Sequence, residues 1–248
     1  MEQLERDFVI RSYESGVNGE ATLPNLCNLL QEMAGNHADK LGFGIRALQK
    51  GDGTSWVVSR LRVRAVKSVG WGETLRVRTW PSGIQRHFVA TREFLGFNAA
   101  GEQVLEGTSD WLVVNLATMK IVRPSESFRA LFADAVPRTA LAAEVGGGKF
   151  AALGKTDATA RVVVRRSDHD FNDHVNNVHY VEWVLEALPE PFRARRPCGV
   201  DIVFRQAAHA GDELEARAEV VDGRTLRHVI VRPSDGALLV TAQTEWAV

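Results

Sequence analysis

The sequence predicts an α+β chain built twice over, each half a long helix packed on a curled antiparallel β-sheet. Three observations predict it. First, the chain repeats itself. Gly101-Glu-Gln-Val-Leu-Glu-Gly-Thr-Ser-Asp-Trp111 lines up with Gly236-Ala-Leu-Leu-Val-Thr-Ala-Gln-Thr-Glu-Trp246, and Trp71-Gly72-Glu-Thr-Leu75 lines up with Ala210-Gly211-Asp-Glu-Leu214. Second, each half opens on apolar residues at helical spacing and continues in alternating, strand-like runs. Third, a Gly/Ala-rich stretch, Ala140-Leu-Ala-Ala-Glu-Val-Gly-Gly-Gly-Lys149, separates the two patterns and has the composition of a linker.

In the first half Leu23, Leu26, Leu30, Met33 and His37 share one helical face, and Pro24 suits a first turn. Gly42-Phe-Gly-Ile…Gly51-Asp-Gly53 reads as a loop, because no phosphate-binding GK[ST] follows a strand there. Strands are expected over Trp56–Arg64 and Leu75–Trp80, with Gly101 turning the chain into a closing strand. In the second half the helix is expected from Val175, with Val178, Val181, Leu185 and Leu188 inward and Pro189 ending it. Leu214–Val220 alternates as a strand, and Gly236 turns into the last one. The expected organisation is an N-terminal domain over 1–140, a linker over 141–149 and a C-terminal domain over 150–248.

Composition narrows the function. The 248 residues are 45% hydrophobic and 25% charged, which is globular, with ample chain for a core. A net charge of −1 gives no bulk attraction to nucleic acid or to an anionic membrane. Cys27 and Cys198 stand far apart, so neither a disulfide framework, a zinc site nor a CxxC redox centre is expected. No run approaches the ~18 apolar residues of a membrane span, and acids occupy the place of a signal peptide's basic start. A cytoplasmic protein without cofactor or metal is the expectation.

The halves differ in one loop. Before the second helix the chain reads Arg165-Arg-Ser-Asp-His-Asp170-Phe-Asn172-Asp-His174-Val175-Asn176-Asn177; the matching stretch in the first half, Gly16-Val-Asn-Gly-Glu-Ala-Thr22, has no histidine. A purely structural need would be met alike in both copies, so chemistry confined to one points to a single site in the C-terminal half. Asp170 can act as base or nucleophile, Asn172 can orient a water or a substrate, and His174 can carry a proton near neutral pH. Backbone donors at the helix start, around Val175 and Asn176, could hold an oxyanion. The competing reading is that these residues only cap the helix and shape the turn.

This loop, continued through Val-His-Tyr180-Val-Glu-Trp183, resembles the D-x-N-x-H-V-N-N-x-x-Y-x-x-W signature of the acyl-[acyl-carrier-protein] thioesterases. Ile10-Arg-Ser-Tyr-Glu14, Leu30-Gln-Glu32, Asn36-His37, Trp56–Arg60, Trp71-Gly72-Glu and Thr79-Trp80 resemble stretches of that family in the same order. The resemblance implies two hotdog domains in tandem, the first shaping the acyl pocket and the second catalytic. It implies hydrolysis of a fatty acyl thioester on acyl carrier protein, with the phosphopantetheine-linked chain as substrate and no cofactor. By position, Asp170, Asn172 and His174 fall on the family's catalytic network. One departure is that Ala207 and Ala208 stand where the family has Glu and Cys, followed by His209. That departure keeps a low-activity acyl- or carrier-binding protein in view, beside an acyl-CoA thioesterase or a hydratase on the same scaffold. Arg193, Arg195 and Arg196 are the sequence candidates for docking the acidic carrier. His37 reads as a core histidine, and a homodimer is allowed.

Overall fold

The computed structural model describes residues 2–132, 138, 139, 141 and 150–247. It divides into two compact units, Met1–Gly146 and Gly147–Val248. The division falls inside the expected linker, which, apart from Leu141, lies outside the described residues.

In the first unit β1 (Leu4–Val9) precedes a single 3-10 turn, Ser12–Glu14, and the long helix α1 (Leu23–Lys40). Then come α2 (Ile45–Gly51), β2 (Thr54–Ala65), β3 (Thr74–Gln85), β4 (Val89–Phe97), β5 (Gln103–Asn115), β6 (Ile121–Val122) and α3 (Glu126–Ala130). The strands pair antiparallel in the order β1-β3-β4-β5-β2, with β6 beside β5. Thr22 starts α1 by accepting the Asn25 N–H at 3.3 Å, an N-cap that satisfies one otherwise orphaned donor. The predicted inward face is buried: Leu23, Leu26, Leu30, Met33 and His37 all pack away from solvent. Gly107 on β5 lets that face come close, since a Cβ there would sit 2.9 Å from Leu30 Cδ1.

The second unit repeats the scheme. β7 (Ala158–Val163) and a 3-10 turn, Arg166–Asp168, lead to α4 (Asn177–Glu186) and the short α5 (Glu190–Arg193). β8 (Pro197–Phe204), β9 (Glu213–Val220), β10 (Thr225–Arg232) and β11 (Ala237–Trp246) follow. The order β7-β9-β10-β11-β8 mirrors that of the first unit strand for strand. Val178, Val181 and Val184 of α4 are fully buried against this sheet.

The repeat extends to single bonds. Trp111 Nε1 donates to Ser109 Oγ at 2.7 Å, and Trp246 Nε1 donates to Thr244 Oγ1 at 2.8 Å. Gly72 and Gly211 open β3 and β9 from left-handed turns (φ 80° and 91°), and Gly101 and Gly236 do the same before β5 and β11 (78° and 71°). Each unit is therefore a hotdog, as the sequence predicts. Two local expectations change. The 42–53 stretch is not a plain loop, since it carries α2, anchored by buried Leu48. β3 also runs past Trp80 to Gln85, because Pro81, which has no N–H to give, sits at an irregularity in the pairing with β4.

Candidate active site

The loop before α4 is a tight hairpin. His169 and Val175 form an antiparallel bridge, flanked by Asn176 N–H to Asp168 O at 2.9 Å and Asp170 N–H to His174 O at 2.8 Å. Residues 171–173 close it, with Asp173 N–H donating back to Asp170 O at 3.0 Å and Asp173 itself left-handed at φ 58°. This register sets Asp170 directly opposite His174, with their side chains on the same side of the ribbon. Asp170 Oδ1 also accepts the Asn172 N–H at 2.8 Å, which fixes the carboxylate over the turn. Asp170 and Asn172 are half-buried, and His174 is exposed.

The first unit contains the same hairpin without the chemistry. Ser15 bridges Ala21, Gly16 N–H meets Glu20 O at 2.8 Å, Gly19 N–H meets Gly16 O at 2.9 Å, and Gly19 is left-handed at φ 75°. Upstream, Arg11 N–H donates to Glu14 Oε2 at 2.8 Å as Arg165 N–H donates to Asp168 Oδ2 at 2.7 Å. The backbone is thus a shared inheritance of both units, with Asn18 in one and Asn172 in the other. What distinguishes the second copy is Asp170 for Gly16, His174 for Glu20 and His169 for Ser15.

The helix start differs from the sequence expectation. α4 begins at Asn177, two residues after Val175, because Val175 is held in the bridge and Asn176 is the N-cap. Asn176 Oδ1 accepts the Val178 N–H at 3.0 Å and Asn176 O accepts the His179 N–H at 3.0 Å, so these first-turn donors are already satisfied. Val175 sits at the bridge position whose own N–H points out of the ribbon, and that N–H has no partner among the described residues.

Sequence reasoning missed the pairing of His169 with Asp173, although their spacing of four residues could have suggested it. His169 Nδ1 lies 3.1 Å from Asp173 Oδ1, its Nε2 is buried without a partner, and the imidazole holds the Asp173 carboxyl below its usual range. The docking candidates all have partners within the chain, with Arg193 and Arg195 exposed. Arg193 Nε donates to Leu188 O at 3.0 Å and lies 3.5 Å from Glu190, while Arg195 donates to Gly223 O and stacks over Phe192. Arg196 is engaged as well. Ala207 is exposed; beside it, the buried Ala208 N–H donates to Tyr180 Oη at 2.7 Å, tying this loop to α4. Burial pushes the Cys27 thiol up to about 12, which removes it as a nucleophile. Among the described residues no cluster has the make-up of a metal site.

Residues 2–132 match the family model described as the acyl-ACP thioesterase N-terminal domain, and residues 153–248 match the C-terminal domain. The chain belongs to the acyl-ACP thioesterase family. It is 30% identical over 266 residues to a chloroplastic palmitoyl-acyl carrier protein thioesterase of Gossypium hirsutum, covering 97% of this chain and 63% of that one. It is 32% identical over 202 residues to the chloroplastic oleoyl-acyl carrier protein thioesterase 2 of Arabidopsis thaliana, covering 74% and 53%. The chain thus spans 53–63% of the length of these plant members of the family. Among solved structures, the 12:0-ACP thioesterase from Umbellularia californica superposes with a TM-score of 0.85 at 26% identity, over 99% of this chain and 97% of that one.

Proposed function

We propose that this chain hydrolyses a fatty acyl thioester carried on acyl carrier protein, releasing the free fatty acid and so ending chain synthesis. One observation carries the reading: two hairpins of the same backbone, of which only the second sets a carboxylate opposite an imidazole. Asp170 takes a proton from water, and the hydroxide adds to the thioester carbonyl carbon. The Val175 N–H, turned out of the ribbon, is the donor for the oxyanion. Asp170 passes that proton to His174, its partner across the ribbon; collapse breaks the C–S bond as His174 delivers the proton to the departing pantetheine sulfur, so both residues end as they began. Asn172 holds the water. Direct attack by the Asp170 carboxylate, through an anhydride that water then opens, uses the same residues.

For the first unit the proposed role is to shape the acyl pocket. Support comes from a cavity of about 250 Å³ walled by Phe43, Leu48, Trp56, Val113 and Phe128, which is apolar enough for an alkyl chain. The proposed compartment is the cytoplasm, supported by two unpaired cysteines.

Asp170→Asn tests the assignment. It keeps the turn's shape and removes the base, so kcat on an acyl carrier thioester should fall by about 10²–10⁴. Undiminished turnover would refute it. A kcat/KM that favours matched acyl-CoA over the carrier thioester would move the substrate assignment to CoA.

A further inference from the structure

The β3–β4 loop of the first unit, Arg86-His87-Phe88, is built in an unusual way. Arg86 and His87 are both left-handed, at φ 48° and 67°, where residues with a Cβ are disfavoured and glycine or asparagine would be at ease. All three side chains are exposed. Arg123, just past β6, lays its guanidinium 5.5 Å from the Phe88 ring centre, joining the loop to the 119–123 segment. That segment adds exposed Lys120 beside exposed Met119 and Ile121.

Several other surface cations are neutralised within the chain. Arg76 pairs with Asp7, Arg78 with Glu5, and Arg232 with Asp212 and Asp235. Among the described residues Arg86, His87, Lys120 and Arg123 form no ion pair, and the carboxylate sharing a cavity wall with Arg123 is Asp52. On a chain of net charge −1, a patch of unpaired cation around an aromatic ring has the make-up of an interface with an acidic protein.

We propose that Arg86, His87, Phe88, Lys120 and Arg123 form the docking surface for the acidic acyl carrier protein. The cations draw in the carrier's carboxylates, and Phe88, stiffened by Arg123, is the apolar contact. This identification of the partner rests on the hydrolase reading; the surface's preference for an acidic protein does not.

The test uses the full chain with Arg86→Glu and Lys120→Glu combined, and separately with Arg86→Gln and Lys120→Gln. Binding of holo carrier protein, its pantetheine thiol unacylated, is titrated at low and moderate salt. Turnover is measured on an acyl carrier thioester and on an S-acyl pantetheine that lacks the protein. The charge-reversed form should bind the carrier about tenfold more weakly at low salt and lose most of the wild-type salt dependence. Its KM for the carrier thioester should rise with kcat kept, and its turnover of acyl pantetheine should stay at the wild-type level. The Gln form should fall between. Carrier affinity and KM equal to wild type would overturn the proposal, as would an equal loss on both thioesters, which would place these residues in the fold or the site. Wild-type chain that binds the carrier, weakened by the charge reversal, but cleaves neither thioester would uphold the docking surface and reject the hydrolase reading.

Discussion

Asp173 occupies a position that glycine fills in the other unit, at φ 58° against 75° for Gly19. An aspartate there carries backbone strain and gains only the contact with His169. Asp173→Gly should therefore raise the melting temperature by roughly 2 °C, since its native backbone suits glycine better and the carboxylate it loses stands in solvent. If the His169 contact serves only to hold the hairpin, kcat should not change. A drop in kcat with a shifted pH profile would instead assign His169 and Asp173 to positioning Asp170 and His174. The residue types of the site were legible in the sequence, because one copy of a duplicated loop held carboxylate and imidazole and the other did not. Their pairing was not. It depends on the bridge between His169 and Val175, which sets Asp170 opposite His174 and cannot be read from spacing in a loop.

The caps on α1 and α4 allow a controlled comparison. Thr22 and Asn176 fill the same place, each accepting a first-turn N–H, and either one replaced by alanine should cost about 1 kcal/mol. Thr22→Ala should lower stability with little change in kcat. Asn176→Ala should lower stability by a similar amount and also reduce kcat, because Asn176 is next to Val175 and ends the hairpin. Equal kcat in the two variants would detach the cap from the chemistry. Most elements could be predicted because their faces repeat: α1 buries residues at helical spacing, and β9 buries alternate ones. α2 could not, since Leu48 is its one buried residue and glycines flank it, so no period develops. α4 starts two residues later than the apolar pattern suggests, because Val175 continues that pattern while serving a bridge instead.

Both units also enclose a buried histidine, which couples their stability to pH in the same sense. His37 Nδ1 lies 3.1 Å from Arg92 Nη1, and burial, with the neighbouring guanidinium, lowers its pKa to about 4. His228, at the β10 position where the first unit's β4 has Phe94, is bonded to Thr244 at 2.8 Å and lowered by burial to about 3. Both rings are neutral in the folded chain, whereas an unfolded histidine takes a proton near pH 6.5. Below that pH the unfolded state binds more protons, so stability is full above pH 6.5 and declines as pH falls toward 4 and 3. At pH 5 His228 alone should cost about 2 kcal/mol relative to pH 7, or roughly 8–16 °C in the melting temperature of its unit. His228→Phe, which installs the first unit's residue, should remove that part of the acid sensitivity and leave the part due to His37. Calorimetric melts at pH 5 and pH 7 would measure it: an unchanged difference between the two in the variant would mean that His228 is not the group that charges when the second unit unfolds.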